Sequence, residues 1–337
     1  MTLMPWTSLH ARLHRTLLKR RLLEPNQRLL VAVSGGQDSL SLIKLLLDLQ
    51  PKWGWALAIA HCDHRWRLDS EANADYVKCL AQEWQVPFYQ QTAIQVTKSE
   101  AEAREWRYQA LTSIAREMGY QYIVTGHTAS DRAETLLYNL IRGSGADGLQ
   151  SLTWQRPLTP AIQLVRPLLE LNRAETAQFC QDLQIAIWED STNIDLKYAR
   201  NRIRHELIPY LQNHFNPQAE QALAQTAEIL RAEVEYLDYV AEELCQQAMA
   251  TFGLGEQHPD RLGVNRLLLR PVPLALQRRV MRQFLQQTLS ISPNFHQIEK
   301  LTSLINAPNH CRTDPFLRSI VAEVEGDWIW LSLEPKK

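Results

Sequence analysis

Short apolar runs alternate with stretches of helically spaced apolar positions through the first half of this chain. Residues 29–33 read as a buried strand ending at Gly35-Gly36, and 39–49 carry helical apolar spacing. A second apolar run, 56–60, precedes a helical stretch over 69–84, and 86–89 is a weaker strand. Ser99 and Glu102 form a Ser-x-x-Glu capping box that opens a helix reaching about residue 118. A strand at 122–125 leads into a helix over 131–141, which stops at Arg142-Gly143, where glycine suits a left-handed cap. This repetition predicts an α/β fold with a mostly parallel, doubly wound sheet covered by helices on both faces.

The pattern then changes. Residues 143–160 are turn-rich and precede a possible edge strand, followed by helices over 173–183 and 196–213, the second capped by Asn193 or Asp195. A long helical stretch, 217–250, breaks at Gly253-Leu-Gly255, and alternation over 327–333 predicts a closing strand. The basic segment 10–21 reads as an opening helix, since nothing resembles a secretory segment or cleavage site. The expected organisation is a catalytic domain at 1–215, a helical linker at 216–252 and a small basic α+β domain at 253–337.

Composition narrows the class. Of 337 residues, 45% are hydrophobic and 22% charged, as in an ordinary globular protein. No apolar run approaches the ~20 residues of a membrane span. Cys62, Cys79, Cys180, Cys245 and Cys311 are widely spaced, without a Cys-x-x-Cys pair, so neither a disulfide framework nor a zinc or iron–sulfur signature is present. That predicts a reducing, cytoplasmic setting. The net charge of −1 conceals opposite blocks: seven acids and only Arg231 over 218–243, then six arginines and no acid over 261–298. The basic block predicts a polyanion-binding surface; the plainer reading is an acidic helix packed beside a basic domain.

The densest chemistry lies at Ser34-Gly35-Gly36-Gln37-Asp38-Ser39, between a buried strand and a helix start. Glycines let backbone approach a phosphate, and the helix N-terminus offers free N–H groups to an anion. Ser34 and Ser39 add hydroxyls, and Asp38 is placed to hold Mg²⁺ beside the phosphates. A Walker loop would need Gly-Lys-Ser/Thr, which is absent. The plain alternative is a strand–turn–helix junction with Asp38 as a first-turn acid.

Further candidates follow later strands. His61, Asp63 and His64 follow the second strand, where a ligand crevice is expected; a purine and phosphate pocket fits them better than a zinc site. Arg104 and Arg107 work against the dipole of their helix start and share a face suited to a phosphate or carboxylate, with an Arg104–Glu100 ion pair as the bland option. His127, Asp131 and Glu134, at i, i+4, i+7, would present one helical face to the crevice, where the acids could hold Mg²⁺ or a cationic substrate or merely complement the helix N-terminus. Glu189-Asp190-x-x-Asn193 forms a turn before Arg200-Asn201-Arg202-Ile203-Arg204-His205, in which Arg200 and Arg204 share a face; a solvated basic face is the default reading, and contact with phosphate the sharper one.

The loop over residues 34–39 resembles that of the PP-loop ATP pyrophosphatases, which split ATP to AMP and pyrophosphate. Together with His61 to Arg67, Glu102 to Tyr108, His127 to Thr135, Arg142 to Gly145 and Glu189 to His205, it resembles the tRNA(Ile)-lysidine synthetase family over about residues 23–211. The chain departs at His127-Thr128, where many members carry two histidines, and at Ser130, often an aspartate. The resemblance implies two steps: ATP adenylates C2 of the wobble cytidine in a CAU anticodon, and free L-lysine displaces AMP. It implies ATP and Mg²⁺ held by Ser34, Gly35, Gly36, Gln37, Asp38 and Ser39 with His61 and Asp63, phosphate charge met by Arg104 or Arg107, and a part for His127. Lysine would be held by Asp131 and Glu134, and tRNA by Arg200, Arg204, Arg278, Arg279 and Arg282. A homodimer is possible. The alternatives are a tRNA-thiolating relative, which would need the missing cysteine pairs, and a non-catalytic tRNA-binding paralogue, against which intact Asp38, Asp131 and Glu134 argue.

Overall fold

The computed structural model describes residues 6–66, 69–97, 99–188, 195–252, 261–315 and 320–333. They form two compact units, Met1–Arg231 and Ala232–Lys337. The division falls inside a helix that the sequence places in the linker.

The first unit opens with α1 (Ser8–Arg20), capped by Thr7 and His10. The repeating pattern then becomes β1 (Arg28–Ala32), α2 (Gln37–Trp53), β2 (Ala56–Asp63), α3 (Ser70–Glu83), β3 (Phe88–Thr92), α4 (Glu100–Met118), β4 (Tyr122–Thr125) and α5 (Ala129–Ile141). The Ser99 side chain accepts the Glu102 N–H at the start of α4, and Gly143 takes φ 77° just beyond α5. The residues described as turn-rich contain more order than their composition suggests: a short helix α6 (Ala146–Leu149) and a strand β5 (Gln155–Thr159), which turns back onto β6 (Ile162–Val165). Pro157 is tolerated because β5 is an edge strand with a register shift there. After α7 (Arg173–Asp182), the helix expected over 196–213 begins later, as α8 (Ala199–Arg202). It passes through a π-helical stretch (Ile203–Leu207) into α9 (Ile208–His214). Pro209 has no N–H to give one turn back, and the π spacing immediately precedes it.

The sheet order is β3-β2-β1-β4-β6-β5, parallel except for β5. β1 is central and buried on both faces, which is why its sequence is a continuous apolar run. Leu29 and Val31 face a core with α2, whereas Leu30 faces one with Leu111 and Ile114 of α4. The chain leaves β1 toward β2 and β3, then returns to build β4 and β6 on the other side. The reversal opens a crevice beyond the C-terminal ends of β1 and β4.

The helix α10 (Ala219–Ala248) runs from the first unit into the second. The second unit adds β7 (Met249–Phe252), β8 (Arg261–Asn265), α11 (Arg266–Leu269), α12 (Leu274–Leu289), α13 (Phe295–Leu304), β9 (Ile320–Glu325) and β10 (Trp328–Leu333). Its antiparallel sheet has the order β7-β8-β10-β9, and its core joins Val280, Met281 and Phe284 to Leu301, Val324 and Ile329. Gly263 is required there: a Cβ would lie 2.6 Å from the Trp330 ring. Among the described residues no helix is long and apolar enough to cross a membrane.

Candidate active site

The loop between β1 and α2 is held from three sides. Gly35 has φ 90°, and a Cβ there would meet the Asn73 Oδ1 at 2.5 Å, so only glycine fits. Asn73 Nδ2 donates to the Ser34 carbonyl at 3.0 Å, and the Trp188 N–H donates to the Gly35 carbonyl at 3.0 Å. The Ser39 hydroxyl accepts the Ser34 N–H at 3.1 Å and donates to the Gly36 carbonyl at 2.9 Å. Gly126, just after β4, lets that strand's loop press on the first turn of α2; a Cβ would lie 2.8 Å from the Asp38 carbonyl oxygen. The result is a rigid cradle of backbone N–H groups at a helix N-terminus, a geometry that accepts phosphate.

Asp38 points from this cradle into a chain of charges. Its carboxylate accepts from the Thr176 hydroxyl and from Arg173 Nε at 3.4 Å. Arg173 also donates to Asp131 Oδ1 at 2.9 Å and Glu134 Oε1 at 2.8 Å. Arg204 grips Glu134 with Nε at 2.7 Å and Nη2 at 3.0 Å. Three carboxylates therefore share two guanidinium groups, leaving one negative charge in excess. Burial pushes the Asp38 carboxyl up, and the charge of Arg173 only partly restores it. Asp131 and Glu134 do stand on one face beside the crevice, but both are already engaged by arginine. Asp131 also serves its own helix, since Oδ2 accepts the Thr128 N–H at 2.8 Å in a capping box.

His127 departs from the expected i, i+4, i+7 alignment. Thr128 caps α5, so His127 lies before the helix, bonded to the Thr125 hydroxyl at 2.9 Å. Burial, then Arg166, Arg107, Arg104 and Arg200, hold its imidazole well below the usual range, hence neutral. It thus belongs to a basic side of the crevice. Arg104 stacks over Tyr108 at 5.8 Å, and Arg107 Nε donates to His64 Nε2 at 3.3 Å. Burial, reinforced by Arg107, lowers His64 to about 4. Arg200 reaches the Thr135 hydroxyl at 3.2 Å. On the β2 side, His61 Nδ1 donates to the Val33 carbonyl at 2.8 Å, and Asp63 accepts the Arg65 N–H at 2.8 Å.

Other expectations fall elsewhere. Glu189, Asp190 and Asn193 lie outside the described residues. In the second unit Arg278 is paired with Glu299 at 2.6 Å, and Arg279 and Arg282 both donate to Asp238. Arg266 donates to the Gly326 and Ala307 carbonyls, and Arg270 to that of Ile305. Much of the basic block is thus spent on internal bonds. The residues that sequence reasoning missed are Arg173, Thr176, Asn73 and Gly126. A signal existed for Arg173: it is a cation in the first position of α7, opposed by the helix dipole, whereas Arg104 and Arg107 lie beyond the first turn of α4.

Mg²⁺ commonly takes one or two carboxylates and completes its shell with phosphate oxygens and water. Asp38, an acid beside a phosphate cradle, fits that mode. Among the described residues no group of three or more His, Cys, Asp or Glu could make an all-protein cage.

Residues 7–211 match the family described as a PP-loop domain. The chain is 66% identical over 335 residues to a tRNA(Ile)-lysidine synthase from Nostoc sp., covering 97% of this chain and 98% of that protein. The chain belongs to the tRNA(Ile)-lysidine synthase family. A Synechocystis sp. relative of the same name is 51% identical, covering 97% of this chain and 98% of its own, and a chloroplastic one from Zygnema circumcarinatum is 37% identical, covering 86% and 78%. Among solved structures, the U34-tRNA thiolase NcsA from Methanococcus maripaludis matches with a TM-score of 0.55 at 18% identity, covering 66% of this chain and 77% of that one. That likeness concerns the fold. The family resemblance seen at the loop therefore extends through the second unit, where motifs are sparse.

Proposed function

We propose that this protein ligates lysine to C2 of the wobble cytidine in the CAU anticodon of tRNA(Ile), through an adenylated tRNA, releasing AMP and pyrophosphate. The observation that carries this reading is near-full-length identity to tRNA(Ile)-lysidine synthases, joined to an intact loop and acidic face. The residues 34–39 cradle holds the ATP phosphates, and Asp38 holds Mg²⁺, which would neutralise phosphate charge. Arg107 stands on the basic side, where charge develops as pyrophosphate leaves. His127, neutral, can accept or donate a hydrogen bond without adding charge.

The acidic face takes the lysine. Asp131 and Glu134 match an ammonium, and Arg173 and Arg204, which now neutralise them, must yield or share as lysine enters. Arg200, beside Thr135, and Arg204, on Glu134, would meet tRNA next to this face, and Arg278, Arg279 and Arg282 would provide a further contact to tRNA. A thiolating reaction is disfavoured because all five cysteines are unpaired and separate in sequence. The test is mass analysis of the wobble nucleoside after incubation with tRNA(Ile), ATP and lysine. Lysidine is expected; an unmodified cytidine with folded enzyme overturns the reading.

A further inference from the structure

Arg166 directly follows β6 and is only 1% exposed, a cation sealed inside the fold. Its Nη1 donates to the Thr153 carbonyl at 2.7 Å and lies 3.5 Å from that residue's hydroxyl. Nη2 reaches only the Tyr108 phenol, at 3.5 Å, and Nε is buried without a partner among the described residues. Two more guanidinium groups close on the same phenol: Arg156 at 4.9 Å and Arg104 at 5.8 Å from the ring centroid. Among the described residues none of the three is ion-paired to a carboxylate, unlike the buried Arg132 with Glu228 or Arg173 with its three acids. Like charges repel and buried cations are costly without a counter-charge. An anion from outside the fold resolves both problems, and the planar guanidinium fork suits phosphate oxygens.

The position identifies the anion. β6 runs parallel to β4, and β4 to β1, so Arg166 stands on the same rim as the loop over residues 34–39. Two strand spacings separate them, on the order of 10 Å. The triphosphate already has its own cradle, so a second phosphate at that distance comes from the other substrate. We propose that Arg104 and Arg156, gathered around Tyr108 with the buried charge of Arg166 beneath them, bind a backbone phosphate of the polynucleotide substrate beside the nucleotide being modified. The proposal rests on the reading of a tRNA substrate. Tyr108 reports on occupancy: burial raises its phenol, but Arg166 and Arg104 outweigh that and bring it to about 8. A bound phosphodiester would offset the arginine charge and move it back toward 10.

The test uses the full chain, an anticodon stem-loop RNA and, separately, ATP and inorganic pyrophosphate. Arg156→Gln, on an edge strand, should weaken RNA binding about fivefold or more and lower the salt slope by roughly one contact. Arg104→Gln, at the same phenol, should weaken it similarly, while ATP affinity without RNA stays within about twofold. Ultraviolet difference titration of wild type against Tyr108→Phe should place the phenol higher with RNA bound. Equal RNA affinity and salt slope in wild type and both variants would overturn the site while leaving the tRNA reading intact. Loss of ATP or pyrophosphate affinity with RNA binding preserved would also overturn it, assigning the anion to the nucleotide. Failure of the wild type itself to bind RNA removes both readings.

Discussion

Arg173 donates to carboxylates on two helices, so its removal leaves Asp38, Asp131 and Glu134 facing one another with Arg204 alone between them. Arg173→Met should lower tRNA-dependent pyrophosphate release about 100-fold or more, an effect of the size seen when a preorganised charge is lost. The sign of the pH effect follows from Asp38, whose carboxyl burial already raises and Arg173 holds down. Without Arg173 it rises further, so the acid limb of the pH–rate profile should move to higher pH. A limb that stays put means Arg173 does not tune Asp38. Glu134→Gln tests the neighbouring step. A charge-assisted bond to an ammonium contributes ~1.5–3 kcal/mol, so the lysine requirement should rise about tenfold or more. Lysine-independent pyrophosphate release should fall much less; equal losses would mean Glu134 serves only the arginines. The contrast also explains what was readable in sequence. Asp38 and the glycines announce themselves because their chemistry is local, strand to loop to helix. Arg173 acts across 135 positions of chain, and no local pattern encodes that distance.

Glu228 performs at the level of elements what Arg173 does within the site. On the part of α10 that belongs to the first unit, its carboxylate accepts from Arg20 of α1 at 2.8 Å, Arg132 of α5 at 2.9 Å and the Trp154 indole at 2.9 Å. Burial raises this carboxyl, but hydrogen bonds from Arg231 and Trp154, with the charge of Arg132, outweigh it and hold it at about 2 instead of 4.5. A depressed acid stabilises the fold above its unfolded value and loses that contribution as pH falls through the folded one. At about 1.4 kcal/mol per unit, discounted for partial exposure, Glu228→Gln should cost about 2–3 kcal/mol at neutral pH. The difference from wild type in chemical denaturation should shrink as pH falls from about 4.5 toward about 2. A pH-independent difference would mean that shape, rather than charge, ties these helices together. Such a hub was invisible in the sequence, where Glu228 is one of seven acids in a solvated-looking helix. The same limit hid β5: Gln155, Pro157 and Thr159 carry no strand period, and pairing with β6 supplies the order.

At the scale of the whole molecule, the question is what the basic block of the second unit does for an RNA-binding enzyme. Its fold was barely legible beyond β10, because its core is assembled from scattered apolar positions. Its charge was legible, yet charge counted along a chain does not say which groups are spoken for. Arg278 sits against Glu299, while Arg279 and Arg282 share Asp238. Removing those acids separates the two uses of the arginines. If Arg279 and Arg282 reach phosphates, Asp238→Asn removes a charge that competes for them, so tRNA affinity should rise and its salt dependence should steepen, since more counterions are displaced. Arg278, Arg279 and Arg282 changed together to alanine should do the reverse, flattening the salt dependence while ATP binding without tRNA hardly changes. Fluorescence anisotropy across a salt series reads both, and thermal melting reports what each change costs the unit. Should Asp238→Asn lower stability without altering affinity or slope, the arginines are bonds within the fold. The tRNA contact would then rest on the first unit, where Arg104, Arg156 and Arg166 lack carboxylate partners among the described residues.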